Sequence, residues 1–358
     1  MRHLVGLVLF YLGVLQGALT LTGIDGLSLS GRRRRLGYVV FALLLVGGLV
    51  ALVLAPLLLV VLMTLPALAL ALGILFAVSF FLRRDFAPPT ADVPGVGDPW
   101  TAEPVVFQDQ IGAAGGLFLR ARHPNGATVC WVHGVGDDKR SYKWVIARAL
   151  TRRGFNLLTF DLPGHGERSA EPFSLPAGLS VVPAALAYLR QRGDVDPNRI
   201  GLLGVSMGGA LSIRALAAGQ RVDALVLLET PCELGDMEAY RCREAIGSLS
   251  WPALNAFRDC SLGGLHENWR PQGVFAPDLK TVFNQLRPDE YIADLPAIPV
   301  LVVSGGRDSI CLPEHSARLF ERAKAPKAFE IIRPASHVSL IFMRKPADLA
   351  AGWFARYL

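Results

Sequence analysis

From residue 36 to residue 82 the chain carries no charged side chain, and its first 84 residues contain a single acid, Asp25. A soluble domain needs polar residues on its outer faces, so this uncharged stretch excludes an ordinary globular start to the chain. Laid out as one helix, its 47 residues would run about 70 Å, over twice the ~30 Å hydrocarbon core of a bilayer. Cysteine is scarce as well. The five present, at 130, 232, 242, 260 and 311, are odd in number and irregularly spaced. That excludes a disulfide framework and a zinc site, and it fits small apolar residues in a reducing compartment. No H-E-x-x-H helix occurs, and the glycines of His133–Gly136 lack the Lys-Thr sequel of a phosphate loop.

What the chain has in excess is apolar surface, 52% of its 358 residues, and the excess is local. Residues 4–23 form one apolar run and residues 36–82 another, which is expected to fold back between Pro56 and Pro66. Three transmembrane spans are therefore expected, at about 4–23, 36–56 and 60–82. Seven arginines (2, 32 to 35, 83 and 84) face the one acid in residues 1–84, a net of +6. Of the 36 basic and 30 acidic residues of the chain, that leaves 29 of each for the remainder, which is neutral. The positive balance thus flanks apolar spans and does not point to nucleic acid. Positive loops stay cytoplasmic, and Arg32–Arg35 and Arg83-Arg84 share a side only across an even number of crossings. Two spans between them satisfy this, placing the bulk of the chain in the cytoplasm as part of a multi-pass membrane protein. The alternative is a cleaved signal peptide over residues 4–30, with Ser28-Leu29-Ser30 as its small-residue site. It would strand four arginines on the outer face.

Residues 85–104, with Pro88, Pro89, Pro94, Gly95, Gly97, Pro99 and Pro104, read as a semi-extended tether. Beyond it, short apolar runs alternate with helical periodicity. Strands are expected at 115–122, 127–133, 155–160, 199–205, 222–229, 299–304 and 327–332. Helices are expected at 141–153, 179–192, 207–219, 314–324 and 346–357. This is the pattern of an α/β domain with a mostly parallel sheet covered by helices. The alternation stops between Pro231 and Pro296, where Trp251, Phe257, Trp269, Phe275, Phe283 and Tyr291 follow no strand period. That stretch, about 231–296, reads as a mostly helical lid over the strand ends.

One stretch carries the chemistry. Gly204-Val205-Ser206-Met207-Gly208 follows the apolar run Ile200–Leu203 and opens a helical segment. A serine on a sharp strand-to-helix turn needs small residues two before and two after it, or side chains collide where the chain folds back. His133-Gly134-Val135-Gly136 ends one expected strand, and Asp161-Leu162-Pro163-Gly164-His165-Gly166-Glu167-Arg168-Ser169 follows the next. Gly305-Gly306-Arg307-Asp308 closes a later strand, and Ser336-His337 follows the last.

Taken together and in this order, these segments resemble the α/β-hydrolase superfamily over roughly residues 105–358. The resemblance implies that fold, with Ser206 as nucleophile, His337 as base and Asp308 as acid, in the chain order Ser, Asp, His. Glu229, closing the strand Ala224–Leu228, occupies a position that some family members use for the acid and is the alternative to Asp308. A serine hydroxyl is a poor nucleophile until a base takes its proton, so Ser206 requires an imidazole within reach. The backbone N–H groups of Val135 and Met207 are the expected donors to the anionic intermediate. His133 is expected to hold the oxyanion loop by hydrogen bonds, and Asp161 and His165 to be structural loop residues. His123, His266 and His315 read as surface or packing residues. The basic pairs Arg152-Arg153 and Lys139-Arg140 read as solvated helix faces. No cofactor or metal is needed for this chemistry.

The expected function is a membrane-anchored serine hydrolase cleaving a lipophilic carboxylic ester through an acyl-enzyme, with a small-molecule or lipid ester and the lipid bilayer as its partners. The same fold and residues also suit a serine peptidase or an acyltransferase. A non-catalytic membrane protein that keeps the hydrolase scaffold for binding is the rival of a different class.

Overall fold

A computed structural model describes residues 6, 8–14, 31–53, 65–66, 69, 100–139, 144–235, 275–308, 310–333, 335, 337 and 340–358. These fall into two compact units, the first ending by residue 69 and the second beginning at residue 100.

In the first unit, helix α1 (Gly31–Val53) covers the first part of the second apolar run, residues 36–53, and residues 8–14 are helical. The two helical segments approach closely through glycine. A Cβ on Gly48 would lie 2.8 Å from Phe10 Cα, and one on Gly13 would lie 2.9 Å from the Leu45 backbone nitrogen. Among the described residues no helix is long and apolar enough to cross a membrane, so the expected spans at 4–23, 36–56 and 60–82 gain no support there. Most of the first and third spans, and residues 85–99 of the tether, lie outside the described residues.

The second unit is built on one eight-stranded sheet. Its strands are β1 (Trp100–Gln108), β2 (Ala113–Ala121), β3 (Thr128–Val132) and β4 (Asn156–Phe160). They continue as β5 (Ile200–Val205), β6 (Ala224–Leu228), β7 (Val300–Gly305) and β8 (Lys327–Ile332). The spatial order is β1-β2-β4-β3-β5-β6-β7-β8, with β1 and β2 antiparallel and β4 onward parallel. Strands β3 to β7 are buried at every position, as expected of strands covered on both faces.

The covering helices are α2 (Trp144–Arg152), α3 (Leu175–Gln191), α4 (Met207–Ala217), α5 (Leu279–Asn284), α6 (Pro288–Tyr291), α7 (Pro313–Arg322) and α8 (Arg344–Tyr357). Cys130, Val132, Leu158, Leu202 and Leu225 pack in one cluster with Val181, Leu186, Met207 and Leu211 of α3 and α4. The intervening strand residues face the other way, where a Cβ on Gly201 would lie 2.5 Å from the Phe354 ring of α8.

Two expectations need correction. The tether was expected to run to Pro104, but residues 100–104 are the first half of β1. This is an edge strand paired only with β2, where a residue lacking N–H is tolerated. Lys139 was expected on a solvated face. It is buried, with Nζ 2.8 Å from Asp161 Oδ2 and 2.7 Å from Glu167 Oε2. Arg152 and Arg153 are exposed as expected. Of the expected lid, residues 236–274 lie outside the described residues; its end holds α5, α6 and a 3-10 turn over Ile292–Asp294.

Candidate active site

Parallel strands deliver their carboxyl ends to one rim, and every expected site residue follows such an end. β3 leads to His133, β4 to Asp161, β5 to Ser206, β6 to Glu229, β7 to Asp308 and β8 to His337. In open α/β sheets that rim is where ligands bind.

Ser206 sits between β5 and α4 with φ 51° and ψ −119°, a conformation that costs a non-glycine residue about 1–3 kcal/mol. Its surroundings impose it. The Ser206 N–H donates to Leu228 O at 2.8 Å, continuing the β5–β6 ladder, while its own carbonyl accepts from Gly209 N–H at 3.0 Å. Both elbow glycines are sterically required. A Cβ on Gly204 would lie 2.6 Å from Gly209 N, and one on Gly208 would press on the Val132 carbonyl and come 2.5 Å from that of His133. Gly209, which sequence reading passed over, faces Thr230 too closely for a side chain, its virtual Cβ 3.0 Å from Thr230 Cβ. The doubled glycine after the serine was the available signal.

His337 lies with Nε2 3.2 Å from Ser206 Oγ and Nδ1 2.8 Å from Asp308 Oδ2. A carboxylate only accepts, so Nδ1 carries the proton and donates to Asp308. That leaves the Nε2 lone pair to accept the Ser206 hydroxyl. Asp308 is itself fixed: its Oδ1 accepts from Ile310 N–H at 2.9 Å and Cys311 N–H at 2.7 Å. Its side chain is fully buried, whereas that of His337 keeps 15% of its surface open. The structure therefore brings Ser206, His337 and Asp308 into one hydrogen-bonded chain and gives the place beside the imidazole nitrogen to Asp308. Glu229 is buried nearby, with φ 51°.

The expected oxyanion loop crosses directly over the serine. A Cβ on Gly134 would lie 3.1 Å from Ser206 Cβ. Met207 is the first residue of α4, so its N–H has no partner within the helix and joins the positive end of the helix dipole beside Ser206. His133 is tied as expected: its Nδ1–H donates to Gly134 O at 2.8 Å, and its Nε2 accepts Leu162 N–H at 3.1 Å. Asp161 binds the same loop from below, accepting from Lys139 N–H and Nζ, both at 2.8 Å, and from Glu167 N–H at 3.0 Å. Sequence reading missed this lock because its cation lies 22 residues from its acid.

His165 is a buried structural residue, packed against His133, Phe173 and Phe275, with Nδ1 2.8 Å from Pro163 O. Burial, reinforced by the neighbouring His133, pulls its pKa from 6.5 down to about 4. The unfolded chain therefore binds this proton below about pH 6.5, while the folded one resists it until about pH 4. Stability should fall across that window by about 3 kcal/mol as pH drops. Chemical denaturation of the wild type and His165→Phe at several pH values checks this, and the variant should lose that part of the slope. His315 is likewise buried, and His123 is exposed. His266, Cys242 and Cys260 lie outside the described residues. Cys130, Cys232 and Cys311 are free and buried; burial pushes the first two thiols up to about 12 and the third well above its ordinary value. They are neutral packing residues.

Among the described residues, the one convergence of metal-ligating side chains is Glu229, Asp308 and His337. Two of these three already hold each other by a hydrogen bond.

A strained serine at a strand-to-helix elbow, an imidazole and a buried carboxylate on the carboxyl rim of a mostly parallel sheet make up the architecture of an α/β hydrolase. The comparisons agree. Residues 131–352 match the model of the alpha/beta hydrolase family, and the chain belongs to that family. It is similar to the uncharacterized protein YfhR of Escherichia coli (strain K12), 27% identical over 248 residues, covering 67% of this chain and 75% of YfhR. Among solved structures, DcsB in complex with its substrate analogue superposes with a TM-score of 0.58 at 17% identity, covering 72% of this chain and 100% of that one. The Pyrococcus furiosus esterase Pf2001 gives 0.51 at 18% identity, covering 75% and 98%. At such identities the structural likeness speaks for the fold.

Proposed function

We propose that this α/β hydrolase is a membrane-anchored serine hydrolase that cleaves a lipophilic carboxylic ester. The observation that carries the reading is the hydrogen-bonded chain from Ser206 through His337 to Asp308. In this mechanism Ser206 Oγ attacks the ester carbonyl carbon as His337 Nε2 takes its proton. The oxyanion is held by the N–H groups of Val135 and Met207, each such donor worth about 10²–10³ in rate. Collapse breaks the bond to the alcohol, which leaves with the proton from Nε2, and Ser206 keeps the acyl group. Water then attacks the acyl-enzyme, with His337 again accepting a proton, and the acid departs. Asp308 fixes the ring tautomer and stabilises the imidazolium.

Anchoring rests on the uncharged run of residues 36–82 and its flanking arginines, which favour a cytoplasmic catalytic domain. The glycine-mediated approach of α1 to residues 8–14 supports it, because small residues at helix contacts typify packing in lipid. Val39, Leu43, Val46 and Val50 of α1 are more than half exposed, a surface suited to acyl chains. The proposed ester is lipophilic because a bilayer anchor favours an apolar acyl group.

The full chain, assayed on p-nitrophenyl esters of graded length and on aminoacyl-anilides, should turn over the esters, preferring longer acyl groups. Activity confined to the anilides contradicts the ester reading. After alkaline carbonate extraction of membranes the chain should stay in the pellet; release into the supernatant contradicts anchoring.

A further inference from the structure

Glu229 is a poor place for a glutamate unless the residue does something there. It ends β6 with φ 51°, a left-handed backbone that a residue with a long side chain adopts only at a cost of about 1–3 kcal/mol. That conformation is pinned, because the Glu229 N–H donates to Val303 O at 2.9 Å and extends the β6–β7 ladder by one residue. The side chain is carried inward, to 1% exposure, and one of its carboxylate oxygens, one of Asp308 and one ring nitrogen of His337 all lie within 4.8 Å of one another. The two oxygens of Asp308 are meanwhile committed, one to the ring and the other to the N–H groups of Ile310 and Cys311.

We propose that Glu229 is a positioning residue, a second carboxylate that acts with Asp308 to hold and stabilise the His337 imidazolium when Ser206 gives up its proton. The inference rests on the serine-hydrolase reading of this site. Its physics is Coulombic: an anion within about 4–6 Å of an imidazolium in a poorly solvated pocket favours the charged ring. The other titratable groups around the pair do not compete. Cys311, which interacts with both Asp308 and Glu229, is kept neutral by burial, and burial lowers His315. Among the described residues, the acidic side chains that converge on the ring are thus these two, on adjacent parallel strand ends.

The test is the rate at which a fluorophosphonate probe modifies Ser206 in the full chain, followed from about pH 5 to pH 9. This readout needs a nucleophile and its base but no knowledge of the natural ester. Loss of one anion makes the ring easier to deprotonate, so the acid limb of the Glu229→Gln profile should lie about one unit below wild type. Its plateau should be about tenfold lower. Glu229→Asp, which keeps the charge while disturbing packing more, should leave the limb near its wild-type position. The double variant Asp308→Asn/Glu229→Gln should label about tenfold more slowly than Asp308→Asn alone, because Glu229 serves the ring when Asp308 cannot. Glu229→Met, which removes the charge at similar volume, repeats the measurement should the amide unfold the strand end. Superimposable limbs for wild type and the neutral variants overturn the proposal, as does a double variant no slower than Asp308→Asn. A wild type that takes no label overturns the hydrolase reading itself.

Discussion

Ser206→Ala should lower kcat on any ester the wild type turns over by roughly 10⁶-fold, with KM nearly unchanged. Removing Oγ removes the atom that His337 Nε2 is placed to activate, at 3.2 Å, so the acyl-enzyme has no route. What survives is catalysis by the oxyanion donors and binding, roughly 10³–10⁴ over water. The fold should survive intact. The strain at residue 206 is held by backbone hydrogen bonds to Leu228 and Gly209, and alanine keeps both. Thermal unfolding run beside the kinetics separates the two effects: a lost rate with an unchanged melting temperature is the expected pair. A variant that keeps more than a tenth of the wild-type rate contradicts the assignment.

Gly208→Ala should do the opposite and damage structure first. The added methyl meets two backbone carbonyls, of Val132 and His133, and backbone cannot swing aside as a side-chain tip can. Either α4 lifts from the end of β3 or β3 itself moves. Overpacking of this kind costs about 3 kcal/mol. Whichever element yields, the first turn of α4, with the Met207 N–H, shifts relative to the His133–Gly136 loop. The loss of one aligned oxyanion donor then adds about 10²–10³ in kcat. Denaturant unfolding and kcat measured on the same preparation should both fall. A stable, fully active variant would show that the elbow does not need its second glycine.

Both effects can be traced from the sequence because the elbow is local. Gly204, Ser206 and Gly208 lie within five residues, and steric need dictates their spacing. Asp308 and His337 were reachable for a different reason: each follows an apolar strand, and parallel strands all deliver their carboxyl ends to one rim. The same reasoning gave Asp308 as the acid and kept Glu229 as the alternative. β6 and β7 are neighbours, and both acids arrive at that rim. Only coordinates show one carboxylate at 2.8 Å from the ring and the other within the same 4.8 Å group.

Strand β1 was hidden by its composition. Pro104 and Glu103 read as tether, although at a sheet edge neither is penalised. The Lys139–Asp161–Glu167 lock was invisible because it joins two loops through tertiary contact alone. Lysine is rarely buried without a partner, and no local pattern announces the partner.

The claim on which the whole account depends is that the hydroxyl of Ser206 is activated by His337. Incubation of the full-length protein with a fluorophosphonate probe, followed by peptide mapping in a mass spectrometer, tests it most directly. The account predicts one adduct, on the peptide bearing Ser206, formed at least a hundredfold more slowly in His337→Ala, where the general base is gone. Folded wild-type protein that takes no label at Ser206, or labels as fast without the imidazole, would contradict it.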